Sequence, residues 1–370
     1  MTPEENERIT RVSKGTPAGE MLRRYWWPVW FTELLTNAPV PVRLLGEDLV
    51  LFRQPDGRTA LVDSACPHRG ASLALGRIEA DGIRCCYHGW KFDAAGRCVD
   101  MPAEPPGSPL RNEVMLGAYP TREVSGLVFA YLGPSPAPEF PRYDLLFRTD
   151  LTRKVNAFHE HCNWVQRAEN AVDQMHSTVL HASVYPEIAL QRPNVKWEST
   201  WYGVRAAFDV PKRQTKVSHF LFPSNSRYFG ARVNDQPSHI MRFRVPVDDV
   251  STRTFVIRAR ECRGGGGDLS TEGLVSHPRG VYERVEDGWW GLASREQDRA
   301  AQESQGLIAD RTREILGTSD RGVILFRRML FDAIDTVERG EDPPGLVRGE
   351  QRELIAFDAM KARDGVAITA

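Results

Sequence analysis

The chain has 370 residues, enough for one large domain or two ordinary ones. Hydrophobic residues make up 41% and charged residues 26%, which supports folded cores and excludes a disordered chain. Lys and Arg total 48 against 49 for Asp and Glu, and this net charge of -1 argues against whole-protein attraction to nucleic acid or acidic membranes.

The opening MTPEENERIT has no basic stretch leading into an apolar core, so no secretory signal is read there. No run of about 18 apolar residues occurs, so no membrane span is expected. The 6 Cys are too few for a disulfide scaffold, and a soluble cytoplasmic protein is the expectation. Residues 1–36 read as an N-terminal helical segment. Within MLRRYWWPVWFTELL, Pro28 should stop the first helix, and Trp26, Trp27 and Trp30 should pack between it and the next domain.

From residue 40 to 132 the pattern changes to short apolar runs, such as DLVLF, ALVD and GLVFAYLG, separated by Gly, Asp and Pro turns. This reads as a domain of small antiparallel strands over 37–140. It contains CPHRG at 66–70 and CCYHGWKF at 85–92. Cys66 and His68 are one residue apart, Cys85 and His88 two, so each pair could sit on a tight loop over one metal centre. Two thiolates and two imidazoles suit zinc or a Rieske [2Fe–2S] cluster. Zinc fingers usually group Cys with Cys and His with His. One Cys and one His per loop favours the Rieske arrangement, in which the thiolates hold one iron and the imidazoles the other. Imidazole ligation raises the potential to roughly -150 to +300 mV, suited to accepting electrons from a flavin or ferredoxin. The Cys-x2-His spacing selects Cys85 over Cys86, whose side chain should point away. Cys98, Cys162 and Cys262 read as small buried hydrophobes.

The Pro-rich stretch 133–143 reads as an extended linker into a second domain, 141–370. There the segment from Asn163 to His181 has helical character. Two His with nearby carboxylates can form a 2-His-1-carboxylate triad that leaves positions open on Fe(II). Asn170, Asp173 and His176 would share a helical face. His181 lies about 140° further around an ideal helix than His176. Both can reach one metal only if the helix breaks between them, and a break is predicted around residues 177–180. Residues 195–260 return to strand-like alternation, and GGGGD at 264–268 reads as a loop tip. Two helices follow. The first should be capped by Ser294 with Gln297 and stopped at Gly317. The second carries Val323, Phe326, Leu330, Ile334 and Val337 as a core stripe.

CPHRG…CCYHGWKFD resembles the Rieske motif of ring-hydroxylating oxygenases. NWVQRAENAVDQMHSTVLH resembles the catalytic-domain signature of the same family, and ASREQDRAAQESQG the end of that domain in its phthalate-dioxygenase-like branch. The resemblance implies an α+β oxygenase subunit: an all-β Rieske domain, then a helix-grip catalytic domain with an antiparallel sheet. It implies Cys66, His68, Cys85 and His88 as cluster ligands, and His176 and His181 as iron ligands. Asp298 is implied as the third iron ligand, with Glu296 and Glu303 as rivals. Asp173 is implied as a bridging carboxylate between an iron-ligand His and a cluster His of a neighbouring subunit, with His88 the favoured partner. The implied assembly is a homotrimer. It would receive electrons from NAD(P)H through a separate reductase, with or without a ferredoxin, because no flavin or NAD motif is seen.

The implied activity is hydroxylation of a small aromatic substrate with O2, the alternative being oxidative N- or O-dealkylation at the same site. A pure Rieske electron carrier would not need the second domain, and a zinc-binding interaction protein would be colourless. Other candidates are read as structural. His159 and His161 should lie on a strand leading into the catalytic helix, and His219, His239 and His277 have no ligand-like company. Arg242 and Arg244 alternate along a strand and would clamp a substrate carboxylate if it lined the pocket; an exposed sheet edge is the expected placement.

Overall fold

The computed structural model describes residues 1–209, 216–233, 236–262, 267–280, 291–350 and 353–357. The chain forms two compact units, Arg23–Ala137, and Met1–Leu22 together with Pro138–Ala370.

The second unit's N-terminal part supplies α1 (Pro3–Thr10) and α2 (Pro17–Leu22). Thr2 caps α1 in a capping box with Glu5, and the following Pro3 suits the first helical position. The unit Arg23–Ala137 then begins with β1 (Trp26–Phe31). Here the reading of 1–36 as helical needs correction. Trp26, Trp27 and Trp30 lie on a strand, which pairs antiparallel with a later one, and Pro28 sits beside a register shift on an edge strand. An edge strand tolerates the missing N–H, and large aromatic residues fit a doubly buried strand better than a helix end.

The remaining strands of this unit are β2 (Val40–Leu44), β3 (Glu47–Arg53), β4 (Thr59–Asp63), β5 (Arg77–Glu79), β6 (Gly82–Arg84), β7 (Lys91–Phe92), β8 (Cys98–Asp100), then after a short helix α3 (Leu110–Glu113) β9 (Ala118–Tyr119), β10 (Thr121–Val124) and β11 (Leu127–Tyr131). They form three sheets, β1-β11-β10, β2-β3-β4-β9 and β5-β6-β7-β8. Val50, Phe52, Val62, Ile83, Trp90 and Phe92 fill one core, in which Cys66 and Cys85 are also buried. The motif cysteines are therefore anchored in the hydrophobic interior.

The other unit continues with α4 (Asp144–Phe147), β12 (Leu151–Glu160), α5 (Trp164–Val172) and α6 (His176–Val179). Seven strands follow: β13 (Asn194–Thr200), β14 (Gly203–Asp209), β15 (Lys216–Leu221), β16 (Asn225–Val233), β17 (Gln236–Asp248), β18 (Ser251–Glu261) and β19 (Leu269–Val275). The described helices then close with α7 (Ser294–Glu303) and α8 (Arg321–Glu338). The eight-stranded sheet runs β13-β14-β15-β16-β17-β18-β12-β19 and is antiparallel except for β12 with β19. Helix α5 packs on β17 and β18, and α8 on α5 and β13. The stripe Val323, Phe326, Leu330, Ile334 and Val337 is buried, as its helical spacing implies.

Three local expectations differ from the structure. Helix α7 is capped at Ala293 without a side-chain cap, and it ends at Ser304, well before Gly317. Gln297 is drawn away from capping because its amide is used inside the fold. Strand β17 lies in the sheet interior between β16 and β18, so Arg242 and Arg244 are not on an exposed edge; Arg244 is fully buried. Cys98 and Cys162 are buried, but Cys262 is only half-buried and its Sγ lies 2.7 Å from Thr152 Oγ1. Of the glycine-rich loop, residues 264–266 lie outside the described residues.

Candidate active site and metal centres

The two Cys-His loops fold alike. In the first, Gly70 N–H donates to the Cys66 carbonyl (2.8 Å) and Cys66 N–H to that of Ala71 (2.9 Å). In the second, Gly89 N–H donates to Cys85 (3.2 Å) and Cys85 N–H to Trp90 (2.8 Å). Each closes on a glycine with positive φ, +75° at Gly70 and +76° at Gly89, a conformation costly for any residue with a Cβ. The glycines of CPHRG and YHG thus let two different spacings make one knuckle shape.

The knuckles face each other. The Cys66 thiol reaches Cys85, and the rings of His68 and His88 are 4.4 Å apart between centroids. His68 also stacks on Trp90, 4.6 Å away and tilted by 15°. Cys66 and Cys85 are buried, His68 is exposed, and Cys86 points outward. Burial pushes the Cys66 thiol up to about 11, so its thiolate needs a cation to form, which metal coordination supplies. Buried sulfurs with imidazoles toward solvent fit a [2Fe–2S] cluster with distinct sulfur and nitrogen ends.

The second centre is assembled from α6, the turn after it, and α7. Helix α5 ends at Val172, and Asp173 takes an extended conformation. Its Oδ1 accepts from Met175 N–H (2.8 Å) and approaches that of His176 (3.4 Å), starting the new turn α6. A first break falls at 173–175, where Asp173 satisfies the donors of the next turn in place of helix continuation. Helix α6 is then only one turn long and ends at Val179, between the two histidines and within the predicted 177–180, with Leu180 N–H bonding the His176 carbonyl (2.7 Å). The two imidazoles still converge, with centroids 5.3 Å apart and planes at 83°.

Asp298 on α7 meets both rings. Its Oδ1 lies 3.2 Å from His181 Nε2 and 3.6 Å from His176 Nε2. One ligand atom from each of the three residues lies within 4.8 Å of the others, and no other such group of three occurs among the described residues. The rivals are engaged elsewhere: Glu296 with Arg295 and Arg299, and Glu303 as acceptor for His161 N–H. His159 and His161 flank the end of β12, where burial lowers His159 to about 4, and neither joins the triad.

The surroundings favour a cation at the triad. Burial alone would raise Asp298, but His181, His176 and Arg167 outweigh it and hold the carboxyl far below its ordinary value. Burial likewise opposes charge on His176, yet Asp173 and Asp298 outweigh it and raise its pKa. Two neutral imidazoles and one carboxylate, meeting in a buried site with positions left over, fit a mononuclear iron.

Each imidazole is oriented from behind. Asp173 Oδ2 faces His176 Nδ1 at 3.4 Å. Gln297 Oε1 accepts from His181 Nδ1 (2.9 Å), which leaves the lone pair on Nε2, while Gln297 Nε2 donates to Ser183 Oγ (2.9 Å). Asn170 Nδ2 lies 3.3 Å from Asp298 Oδ1 and 3.4 Å from His176 Nε2. The role of Gln297 was missed in the sequence. Its signal was adjacency: neighbouring positions on a helix diverge by about 100°, so Gln297 and Asp298 can reach opposite nitrogens of one ring.

Residues 26–120 match the Rieske [2Fe-2S] domain family, and residues 288–365 the LigXa C-terminal domain-like family. The 5,5'-dehydrodivanillate O-demethylase oxygenase subunit of Sphingobium sp. (strain NBRC 103272 / SYK-6) is 34% identical over 94% of this chain and 84% of its own length. The chain belongs to the Rieske non-haem iron oxygenases. The phthalate 4,5-dioxygenase oxygenase subunit of Pseudomonas putida is 33% identical over 98% of this chain and 93% of its own length. The solved structure of Pseudomonas putida CBB5 NdmA has the same fold, with a TM-score of 0.70 at 22% identity, covering 90% of this chain and 98% of that one. This Rieske oxygenase is an oxidoreductase, the oxygenase component of a multicomponent system, and its cofactors are the [2Fe–2S] cluster and a mononuclear iron. Among the described residues, no helix is long and apolar enough to cross a membrane.

Proposed function

We propose that the protein is a terminal oxygenase that hydroxylates a small aromatic substrate, with Cys66, His68, Cys85 and His88 holding the cluster and His176, His181 and Asp298 the iron. The observation that carries this is the meeting of Asp298 with His176 and His181 across more than a hundred residues of sequence, in a chain that also forms the paired Cys-His knuckles. When bound, the cluster relays single electrons and the iron activates dioxygen.

The chain's own groups do the positioning. Gln297 holds the proton on His181 Nδ1, and Asp173 aims His176 from its other nitrogen. Both therefore present Nε2 to the same point. Asp173, with 27% of its side chain exposed, retains a solvent-facing side, which supports a bridging role toward His88 of a neighbouring subunit in a homotrimer. A separate NAD(P)H-dependent reductase would supply the electrons in the cytoplasm.

Oxidative dealkylation is the second reading. It is favoured by the O-demethylase relative, while the phthalate 4,5-dioxygenase favours ring hydroxylation. The two outcomes need the same ligands and differ in which part of the substrate lies over the iron. Turnover of methoxylated and unsubstituted aromatic acids with an added reductase, with products identified by mass, decides between them. Release of formaldehyde indicates demethylation; retention of every carbon with added oxygen indicates hydroxylation.

A further inference from the structure

Helix α5 turns a polar face toward α7. Gln166 and Arg167 are buried on it, and Asn170 continues it to the iron ligands. Gln166 Nε2 donates to the carbonyls of Gln302 (2.9 Å) and Gly306 (3.0 Å), and its Oε1 accepts from Ala309 N–H (3.0 Å). The end of α7 is thereby tied to α5 by directed bonds, which fix its position more narrowly than apolar packing alone.

Arg167 is the charged member of this face. Its Nη1 donates to Gln302 Oε1 and its Nη2 to Glu160 Oε1 (2.7 Å), so one guanidinium joins α5, α7 and the end of β12. Gln302 follows Asp298 by four positions on α7. Asn170, three positions beyond Arg167 on α5, lies 3.3 Å from Asp298 Oδ1. Along either helix the guanidinium is about one turn from the third iron ligand.

Burial opposes the charge on Arg167, but its neighbours, Glu160 foremost, outweigh burial, and the guanidinium stays charged. A buried positive charge so near the triad repels a divalent cation, and the protein interior screens that repulsion far less than water does. Glu160 offsets it. Among the described residues, Glu160 is the one carboxylate that forms an ion pair with Arg167. It is 2% exposed, and its Oε2 accepts from Thr254 Oγ1 (2.6 Å), which aims it. The other charges of α7 are matched among themselves, Arg295 with Glu296 (2.6 Å), and Arg299 with Glu296 (2.7 Å) and Glu303 (3.9 Å). Loss of Glu160 would leave the Arg167 guanidinium buried and uncompensated.

We propose that Glu160 is a positioning residue for the iron: it neutralises Arg167, so that a guanidinium can hold α7 in place without weakening Fe(II) binding at His176, His181 and Asp298. This rests on the iron reading of the triad. The two members of the pair then make opposite predictions. Glu160→Gln keeps the cation and removes its counter-charge, whereas Arg167→Met removes the cation itself. A purely structural tie would suffer from both changes.

The test is anaerobic calorimetric titration with Fe(II) of the protein that retains its cluster and has been depleted of mononuclear iron. Glu160→Gln should weaken Fe(II) binding by about ten- to a hundredfold. Adding Arg167→Met to that variant should recover most of the loss, and Arg167→Met alone should bind Fe(II) at least as tightly as the parent does. The cluster's visible absorbance and the far-UV spectrum report whether each variant is folded; if Glu160→Gln is not, Arg167→Met alone decides. Parent-like binding in Glu160→Gln, no recovery in the double variant, or weakened binding in Arg167→Met overturns the proposal. Failure of the iron reading is distinguishable, because the parent itself would then bind no Fe(II), or would bind it equally well after Asp298→Ala.

Discussion

At the residue scale, the Cys-His knuckles and the triad make separable demands on single side chains. Cys85→Ser should abolish the cluster, because Cys85 is buried facing Cys66, whereas Cys86→Ser should retain it, because Cys86 points outward. Visible absorbance of the two purified variants checks this. Gln297→Leu removes the acceptor for His181 Nδ1 and should weaken iron binding by about 10- to 100-fold, with Gln297→Glu restoring much of it. Metal titration of the iron-depleted protein reads this without any turnover. Asp173→Asn should keep both metals and lower turnover by about tenfold or more, since it contacts His176 from outside the triad. Full turnover with full metal content would remove Asp173 from the electron path. These residues were unequally legible. The knuckles could be read because their ligands are close in sequence and their spacing is chemically restrictive. Gln297 could not, because its partner His181 is 116 positions away and a helix-starting glutamine has a common capping explanation.

At the element scale, the tie between α5 and the later helices carries the site. Glu169 on α5 is held by Arg311 (2.9 Å) and by Arg327 of α8 (2.6 Å). Burial alone would raise its pKa, but the two guanidiniums outweigh burial and set it below its ordinary value of 4.5. A carboxyl with a lowered folded value stabilises the fold above its unfolded value, and that contribution is lost as pH falls through the folded one. Glu169→Gln should therefore cost about 3 kcal/mol at pH 7, and its gap to the parent should narrow as the pH is lowered below 4.5. Denaturant unfolding at neutral and at acid pH measures it. The segmentation into strands and helices was visible in the turn residues and apolar runs. Two boundaries were not. The α5–α6 break is decided by where the Asp173 side chain finds donors, and β1 by its pairing with β11, whose residues all lie far downstream in the chain. The β11 partner is remote in sequence, so local patterning carries little trace of it, while the Asp173 bond to nearby Met175 competes with ordinary helix continuation and either outcome fits the same residues.

At the scale of the whole molecule, the sequence separates a small all-β unit from a larger one built on a single sheet, and both appear in the fold. The Pro-rich stretch 133–143 contains the passage between them, while β1 joins the all-β unit from upstream of the expected boundary. What the sequence did not reveal is that Arg242 and Arg244 lie in the sheet interior, because an alternating Arg-x-Arg strand looks the same there as at an edge. The presence of two iron centres of different kinds in one chain is tested by iron and acid-labile sulfide analysis with EPR of the dithionite-reduced protein, parent beside Asp298→Ala. The parent should contain about three irons and two sulfides per chain with a Rieske signal, and the variant about two irons with that signal unchanged. A parent with zinc and no Rieske signal would rule out the cluster, and a variant that keeps its third iron would rule out Asp298 as its ligand.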